Sequence, residues 1–387
     1  MKQFIAQKVL NMKPSGIRQF FDLVLGMKDV ISLGVGEPDF VTPWQIREAG
    51  ITSLEQGYTS YTSNKGLLKL RMAIHQYLKK QYGLNYSTED EILVTVGVSE
   101  AVDLALRAIV EPSDKIIVPS PSYVSYGPMT ELAGGIPVYV DTRKDKFKLT
   151  ADNLKRHLDA KTKAIIFNYP ANPTGVSYTK KELEQLAEVI IKHKILVLSD
   201  EIYGDLTYDF AHTPFATIKG MQKYTIYLNG FSKSYAMTGW RVGYACGPGQ
   251  IIHAMTKIHQ YTIMCVSITS QMAACEALHS GSSSVEEMKR EYRRRREFIV
   301  SELNRIGLDC HLPQGAFYAF PSIKITGLDC LEFSKKLLKE EKVAVVPGTA
   351  FGEELTDYIR ISYASSFDKL KEAVTRMERF VKRHSKT

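Results

Sequence analysis

The sequence predicts an α/β fold: a large domain with a mostly parallel sheet covered by helices, followed by a smaller α/β domain. Short apolar runs at 92–96, 116–118, 136–140, 164–167, 195–198, 225–228 and 242–245 alternate with helical patterns or loops. That is the order expected when successive strands are joined across the faces of one sheet. After Gly247-Pro248 comes a long helical stretch, then strand-like segments at Ala316–Phe320, Val343–Val346 and Tyr358–Ser362 with helices between them. A chain of 387 residues also exceeds what one hydrophobic core usually organises. The expected division is an N-terminal segment 1–32, a large domain 33–285 and a small domain 286–387, the boundary lying between 280 and 300.

Hydrophobic content of 44% and charged content of 24% are ordinary for a globular protein. No stretch approaches the roughly 20 apolar residues of a membrane span, so no membrane partner is expected. The N-terminus, Met1 to Lys8, lacks a secretory apolar core, and a cytoplasmic location is expected. Net charge is +8, and the sharpest basic run is Lys289 to Arg296. It lies in a helix-like segment, Val285 to Ile306, with interleaved glutamates, and reads as a solvated helix face more readily than as a nucleic-acid patch. The five cysteines show neither CxxC nor ligand-like spacing, which fits reduced thiols and predicts no metal site.

The chemistry is carried by four segments. Ile195–Leu198 reads as a buried strand leading into Ser199-Asp200-Glu201-Ile202-Tyr203, which puts Asp200 where open α/β sheets bind ligands. Ala164–Phe167 leads into Asn168-Tyr169-Pro170-Ala171-Asn172-Pro173-Thr174-Gly175, a sharp loop at another strand end. Asn229 to Arg241 holds Lys233 in a polar, glycine-bounded stretch with Arg241 eight residues on. Lysine forms imines with carbonyl compounds, and arginine recognises phosphate oxygens bidentately. Finally, the alternating segment Tyr358 to Tyr363 carries one charge, Arg360, between Ile359 and Ile361, and an isolated charge there needs a partner.

In order and spacing these segments resemble the class I/II aminotransferases, fold-type I enzymes that use pyridoxal 5′-phosphate, in particular the prokaryotic subgroup of aspartate, alanine and aromatic aminotransferases. The resemblance runs from Leu33-Gly34-Val35-Gly36-Glu37-Pro38-Asp39-Phe40 to Arg360. It includes Tyr58 to Gly66, Gly315-Ala316-Phe317-Tyr318 and Val345-Val346-Pro347-Gly348. One such motif would mean little; together, in order across some 330 residues, they are specific.

The resemblance implies a role for each candidate. Lys233 would hold the cofactor as an imine and, once displaced, move the substrate proton. Asp200 would face the pyridine nitrogen, while Tyr203 and Asn172 would donate to the 3′ oxygen. Arg241 would bind the phosphate with the N–H groups of Val98, Ser99 and Glu100 at a helix start after Gly97. Tyr123 would cover the ring face. Tyr61 would reach the phosphate of a neighbouring subunit, which implies a homodimer with shared active sites. Arg360 would clamp the substrate α-carboxylate, assisted by the N–H of Gly36 and by Asn172. Relatives often carry a phosphate-binding serine where this chain has Gly230, and Ser232 is the candidate replacement.

The implied reaction moves the amino group of an L-amino acid to a 2-oxo acid such as 2-oxoglutarate by a ping-pong mechanism. Aspartate-selecting relatives often carry a lysine in the loop that here reads Val98-Ser99-Glu100. Its absence tilts the expectation toward aromatic, alanine or broad neutral donors, with N-acetylated diaminopimelate-type substrates open. A cysteine-S-conjugate β-lyase on the same scaffold is the alternative. A regulatory module is the more distant one: about 30 residues before Leu33 are too few for a helix-turn-helix domain.

Overall fold

The computed structural model describes residues 2–14, 16 and 27–385. Its strands are β1 (Ile31–Ser32), β2 (Ile92–Thr95), β3 (Lys115–Ser120), β4 (Ile136–Asp141), β5 (Thr162–Asn168), β6 (Leu196–Asp200), β7 (Thr225–Gly230), β8 (Gly243–Cys246), β9 (Tyr318–Ala319), β10 (Val343–Ala344), β11 (Val346–Pro347) and β12 (Ile359–Ser362). The seven apolar runs of the first part of the chain are β2 to β8, joined in the order β2-β8-β7-β6-β5-β3-β4. β8 is antiparallel to both its neighbours, and the remaining pairings are parallel.

Period-two alternation sorts this sheet onto two cores. Ile116, Val118, Ala164, Ile166 and Leu198 face a cluster shared with the helices Gly97–Ile109 and Gly249–Thr262. Ile117, Ile165, Phe167 and Val197 face the other side, against Leu183, Leu186 and Ile190 of the helix Lys180–His193. That helix starts on a capping box in which Thr179 and Glu182 satisfy each other's backbone N–H groups.

The second half supplies a three-stranded antiparallel sheet, β11-β12-β9, and a parallel pair, β1-β10. The C-terminal helix Phe367–His384 buries Leu370, Ala373, Val374, Met377, Phe380 and Val381, one apolar stripe at helical spacing. In the helix Ser282–Arg305, Val285 belongs to a cluster with Ile46, Leu70 and Tyr244. Met288, Tyr292 and Ile299 belong to the cluster that holds Phe333, Ile361 and Phe380.

Two expectations are corrected. Tyr358–Tyr363 was expected to alternate, yet all four residues of β12 are buried, because the strand is covered on both faces. The basic run is not wholly a solvated face. Arg295 and Arg296 are buried and pair with Asp39 and Asp209, which lie far off in the chain. Among the described residues, no helix is long and apolar enough to cross a membrane.

Candidate active site

The carboxyl ends of β3, β5, β6 and β7 share one edge of the sheet, and the antiparallel β8 begins at that same edge. Strand ends and a strand start thereby meet around a cavity of about 830 Å³. It is lined by all the candidate residues except Glu100 and Tyr61.

Asp200 closes β6 and is buried. The Tyr126 hydroxyl donates to its Oδ2 at 2.6 Å, and the Ile202 N–H donates to Oδ1 at 3.2 Å. Burial pushes its carboxyl up to about 6, with these two hydrogen bonds opposing the rise.

Lys233 lies three residues beyond the end of β7. Its Nζ donates to the Gly36 carbonyl at 2.6 Å. Burial pushes this amine down to about 8; Glu37 opposes the fall, and Arg360 and Arg241 add to it. The Tyr203 and Tyr318 hydroxyls are hydrogen-bonded at 2.8 Å.

Arg360 is 2% exposed and, among the described residues, has no carboxylate partner. Nη1 donates to Asn172 Oδ1 at 2.9 Å and Nη2 to the Gly34 carbonyl at 2.6 Å, while Nε has no partner among the described residues. The guanidinium lies 4.6 Å from the Tyr318 ring centroid and 5.0 Å from that of Phe351. With its oxygen held by Arg360, Asn172 has its two amide N–H donors left for another acceptor.

Val98 and Ser99 stand in the first turn of the helix Gly97–Ile109, whose N-cap, Val96, makes no side-chain capping bond. Such an end leaves N–H groups for an anion. Beside it, Arg241 adopts a left-handed conformation at φ 52° and donates from Nη1 to the Thr238 carbonyl at 3.0 Å. Gly97 lets the guanidinium approach, since a Cβ there would lie 2.8 Å from Arg241 Nη2. Glu100 turns away: its carboxylate accepts from the Val96 N–H and pairs with His259 Nδ1 at 2.7 Å. Ser232 lines the cavity, whereas Gly230 has no room for a side chain. A Cβ at Gly230 would meet Gly243 Cα at 2.9 Å and the Val242 carbonyl at 3.1 Å. Tyr123 packs edge-on against Tyr126 with ring centroids 5.5 Å apart. Tyr61 is 81% exposed and lies outside the cavity of its own chain.

Sequence reasoning missed the parts played by Tyr126 and Tyr318. Tyr318 stood in a motif noted for its resemblance alone. Tyr126, three residues past Tyr123, carried only the weak signal of opening a helix.

Backbone packs closely on Gly243, where a Cβ would lie 2.8 Å from both Gly97 C and Val98 N. Backbone cannot swing aside as a side chain can. Gly243→Ala is expected to cost about 1–3 kcal/mol in chemical denaturation. An unchanged midpoint would show that the helix start yields freely.

Comparison with known proteins agrees with this geometry. Residues 28–377 match the family described as aminotransferase class I and II. The chain is 47% identical to an aspartate aminotransferase of Pyrococcus abyssi, over 95% of this chain and 96% of the relative. It is 43% identical to aromatic-amino-acid aminotransferase 2 of Thermococcus litoralis, over 98% of each. The crystal structure of an aromatic aminotransferase from Pyrococcus horikoshii superposes with a TM-score of 0.90 at 45% identity, over 95% of this chain and 99% of that one. The chain therefore belongs to the class I and II aminotransferases, and is an enzyme of the kind that uses pyridoxal 5′-phosphate.

Proposed function

We propose that this aminotransferase takes the amino group from an aromatic or other neutral L-amino acid and passes it to a 2-oxo acid such as 2-oxoglutarate. One observation carries the donor class. Among the described residues lining the cavity, the cations are Lys233, Arg241 and Arg360, and each has a use other than binding a donor's side-chain carboxylate. Val35, Tyr123 and Val124 give part of the wall an apolar or aromatic surface. Similar proteins are named for aspartate as well as for aromatic substrates, and the cation count favours the second group.

The residues present fit the cofactor. An uncapped helix start, a glycine that a Cβ would fill and an adjacent arginine suit a phosphate. A buried carboxylate suits a ring N–H, and a buried amine suits an aldehyde. Bound pyridoxal phosphate supplies an electron sink conjugated to the substrate α-carbon. The chain does the rest. Asp200, oriented by Tyr126, holds the proton on the ring nitrogen. Tyr203 and Asn172 donate to the ring oxygen, and Tyr123 covers one face. Arg241, Ser232 and the N–H groups of Val98, Ser99 and Glu100 hold the phosphate. Arg360 receives the α-carboxylate, with the N–H of Gly36. The Nζ amine of Lys233 would take up and hold the proton of the substrate α-carbon.

A homodimer with shared sites, Tyr61 serving the second subunit, is supported by an exposed apolar surface. Trp44, Ile51 and Leu54 on the helix Trp44–Glu55 are exposed, as are Tyr61, Tyr261 and Met264. Asn64 Nδ2 donates to the Met264 carbonyl at 2.7 Å, which ties two of these loops together. A division into domains at 285 is supported by the change of core between Val285 and Met288. Sedimentation equilibrium should give twice the chain mass, and Ile51→Lys with Leu54→Lys should lower it. A monomer that retains full activity would remove the shared site.

The deciding experiment is a half-reaction without oxo acid. Cofactor-loaded protein is mixed in turn with phenylalanine, tyrosine, alanine, glutamate and aspartate, and the cofactor absorbance is followed. We expect one stoichiometric conversion, fastest with the aromatic donors and absent in Lys233→Ala. Continuous ammonia release would instead indicate elimination, and faster conversion by aspartate would overturn the donor class. In the same assay Arg360→Gln should raise KM for every donor about 10²–10³-fold, the worth of a bidentate charged pair at ~3–4 kcal/mol.

The amine of Lys233 also predicts a pH dependence. Only the deprotonated amine attacks an aldehyde, and burial lowers the pKa of Lys233 from 10.5 to about 8. Covalent attachment of pyridoxal phosphate to cofactor-free protein should accelerate about tenfold per pH unit below pH 8 and level off above it. A rate still climbing at pH 10 would mark an ordinary lysine.

A further inference from the structure

Transamination leaves the buried end of the basic run without a use. Arg295 Nη1 donates to both carboxylate oxygens of Asp39, at 2.8 and 2.9 Å, and Nε donates to Glu291 Oε1 at 2.9 Å. Its guanidinium lies 5.4 Å from the Phe40 ring centroid, and Phe40 meets Tyr292 edge-on at 5.5 Å. Residues 39 and 40 are thus docked on the helix Ser282–Arg305, 256 positions away in the chain.

The docked residues belong to a segment held at several other points. The Leu33 N–H donates to the Ala344 carbonyl at 2.8 Å, and the Leu33 carbonyl accepts from the Ser362 N–H at 2.7 Å. The carbonyls of Gly34 and Gly36 accept from Arg360 and Lys233. Thr42 donates to the Ala236 carbonyl at 2.6 Å and accepts from Trp240 Nε1 at 3.1 Å. Between Gly36 and Asp39 lie only Glu37 and Pro38, whose ring fixes φ, so displacing Asp39 displaces Gly36.

We infer that the Asp39–Arg295 ion pair is a positioning latch for carboxylate recognition, fixing the Gly34–Gly36 backbone that orients Arg360 and Lys233. The inference rests on the reading of Arg360 and Gly36 given above. Arg295 touches neither cavity nor substrate and acts through the segment. Arg296 provides an internal control. It lies on the same helix and is equally buried, but pairs with Asp209 and the Pro313 carbonyl, away from the segment.

The test uses the cofactor-loaded protein and two readouts: KM and kcat with phenylalanine, and calorimetric binding of 3-phenylpropionate, a carboxylate with no amino group. Asp39→Asn and Arg295→Gln should each weaken KM and 3-phenylpropionate binding about 5–20-fold while kcat stays within about threefold. Arg295→Lys, which keeps a cation facing Asp39, should recover most of the loss. The double variant should be no weaker than the weaker single one, since both remove one interaction. Asp209→Asn should lower thermal stability and leave both affinities unchanged. Affinities within twofold of the parent in Asp39→Asn, or an equal loss in Asp209→Asn, would reduce the pair to a structural tie. Because 3-phenylpropionate cannot react, failure of the parent to transaminate phenylalanine would sink the proposed donor while leaving the latch standing or falling on binding.

Discussion

The buried guanidinium of Arg360 is the constraint around which much of the chain is arranged. A charge with 2% exposure on a strand covered on both faces costs several kcal/mol unless it is resolvated. Among the described residues no carboxylate does so. The substitutes are neutral: a carbonyl from Gly34, an amide oxygen from Asn172 and the faces of Tyr318 and Phe351. Neutral partners stabilise the cation without discharging it, so its attraction for an anion survives. They also come from four distant stretches. Residues 31–34 must return to lie against β10 and β12, the loop after β5 must project over the sheet edge, and β9 must bring Tyr318 beneath the strand.

Sheet topology supplies the second requirement. Four parallel strands could bring Tyr123, Asn172, Asp200 and Lys233 to one edge, but Arg241 precedes a strand instead of following one. Only an antiparallel β8 places its start among those ends. The register then sets Gly243 between Gly230 and Thr95, with backbone in contact on both sides. A side chain at 230 has no space in that register, so the serine of many relatives could not simply be added here.

Much of this was legible in sequence. Six of the seven central strands were visible because buried strands are continuous apolar runs, the edge strand β4 keeping the run while burying only Val140, and Asp200, Asn172 and Lys233 because each follows such a run within a few residues. Partnerships across the chain were not visible. Tyr126 meets Asp200 across 74 positions and Tyr318 meets Tyr203 across 115, and nothing local distinguishes either from the other tyrosines. The basic run is more instructive. Val285, Met288, Tyr292, Arg295, Arg296, Ile299 and Leu303 form one helical stripe, although the run was read from its charge as a solvated face. Charge argued for solvent, and the pattern prevailed because Asp39 and Asp209 arrive from elsewhere to pair with them.

The same burial acts on the two central ionisable groups in opposite directions. It raises the carboxyl of Asp200 to about 6 and lowers the amine of Lys233 to about 8, each toward its uncharged form. Near neutral pH Asp200 is still mostly ionised, but a carboxylate in that position gains from a cation placed against it more than one in water would. Lys233 shifts in the reverse sense, since the interior disfavours its charged form and leaves more of it as the free amine. In the proposed reading Asp200 would hold a protonated ring nitrogen and Lys233 would hold the aldehyde end of the same cofactor. Tyr126, donating to Asp200, keeps the carboxylate from protonating before that cation arrives.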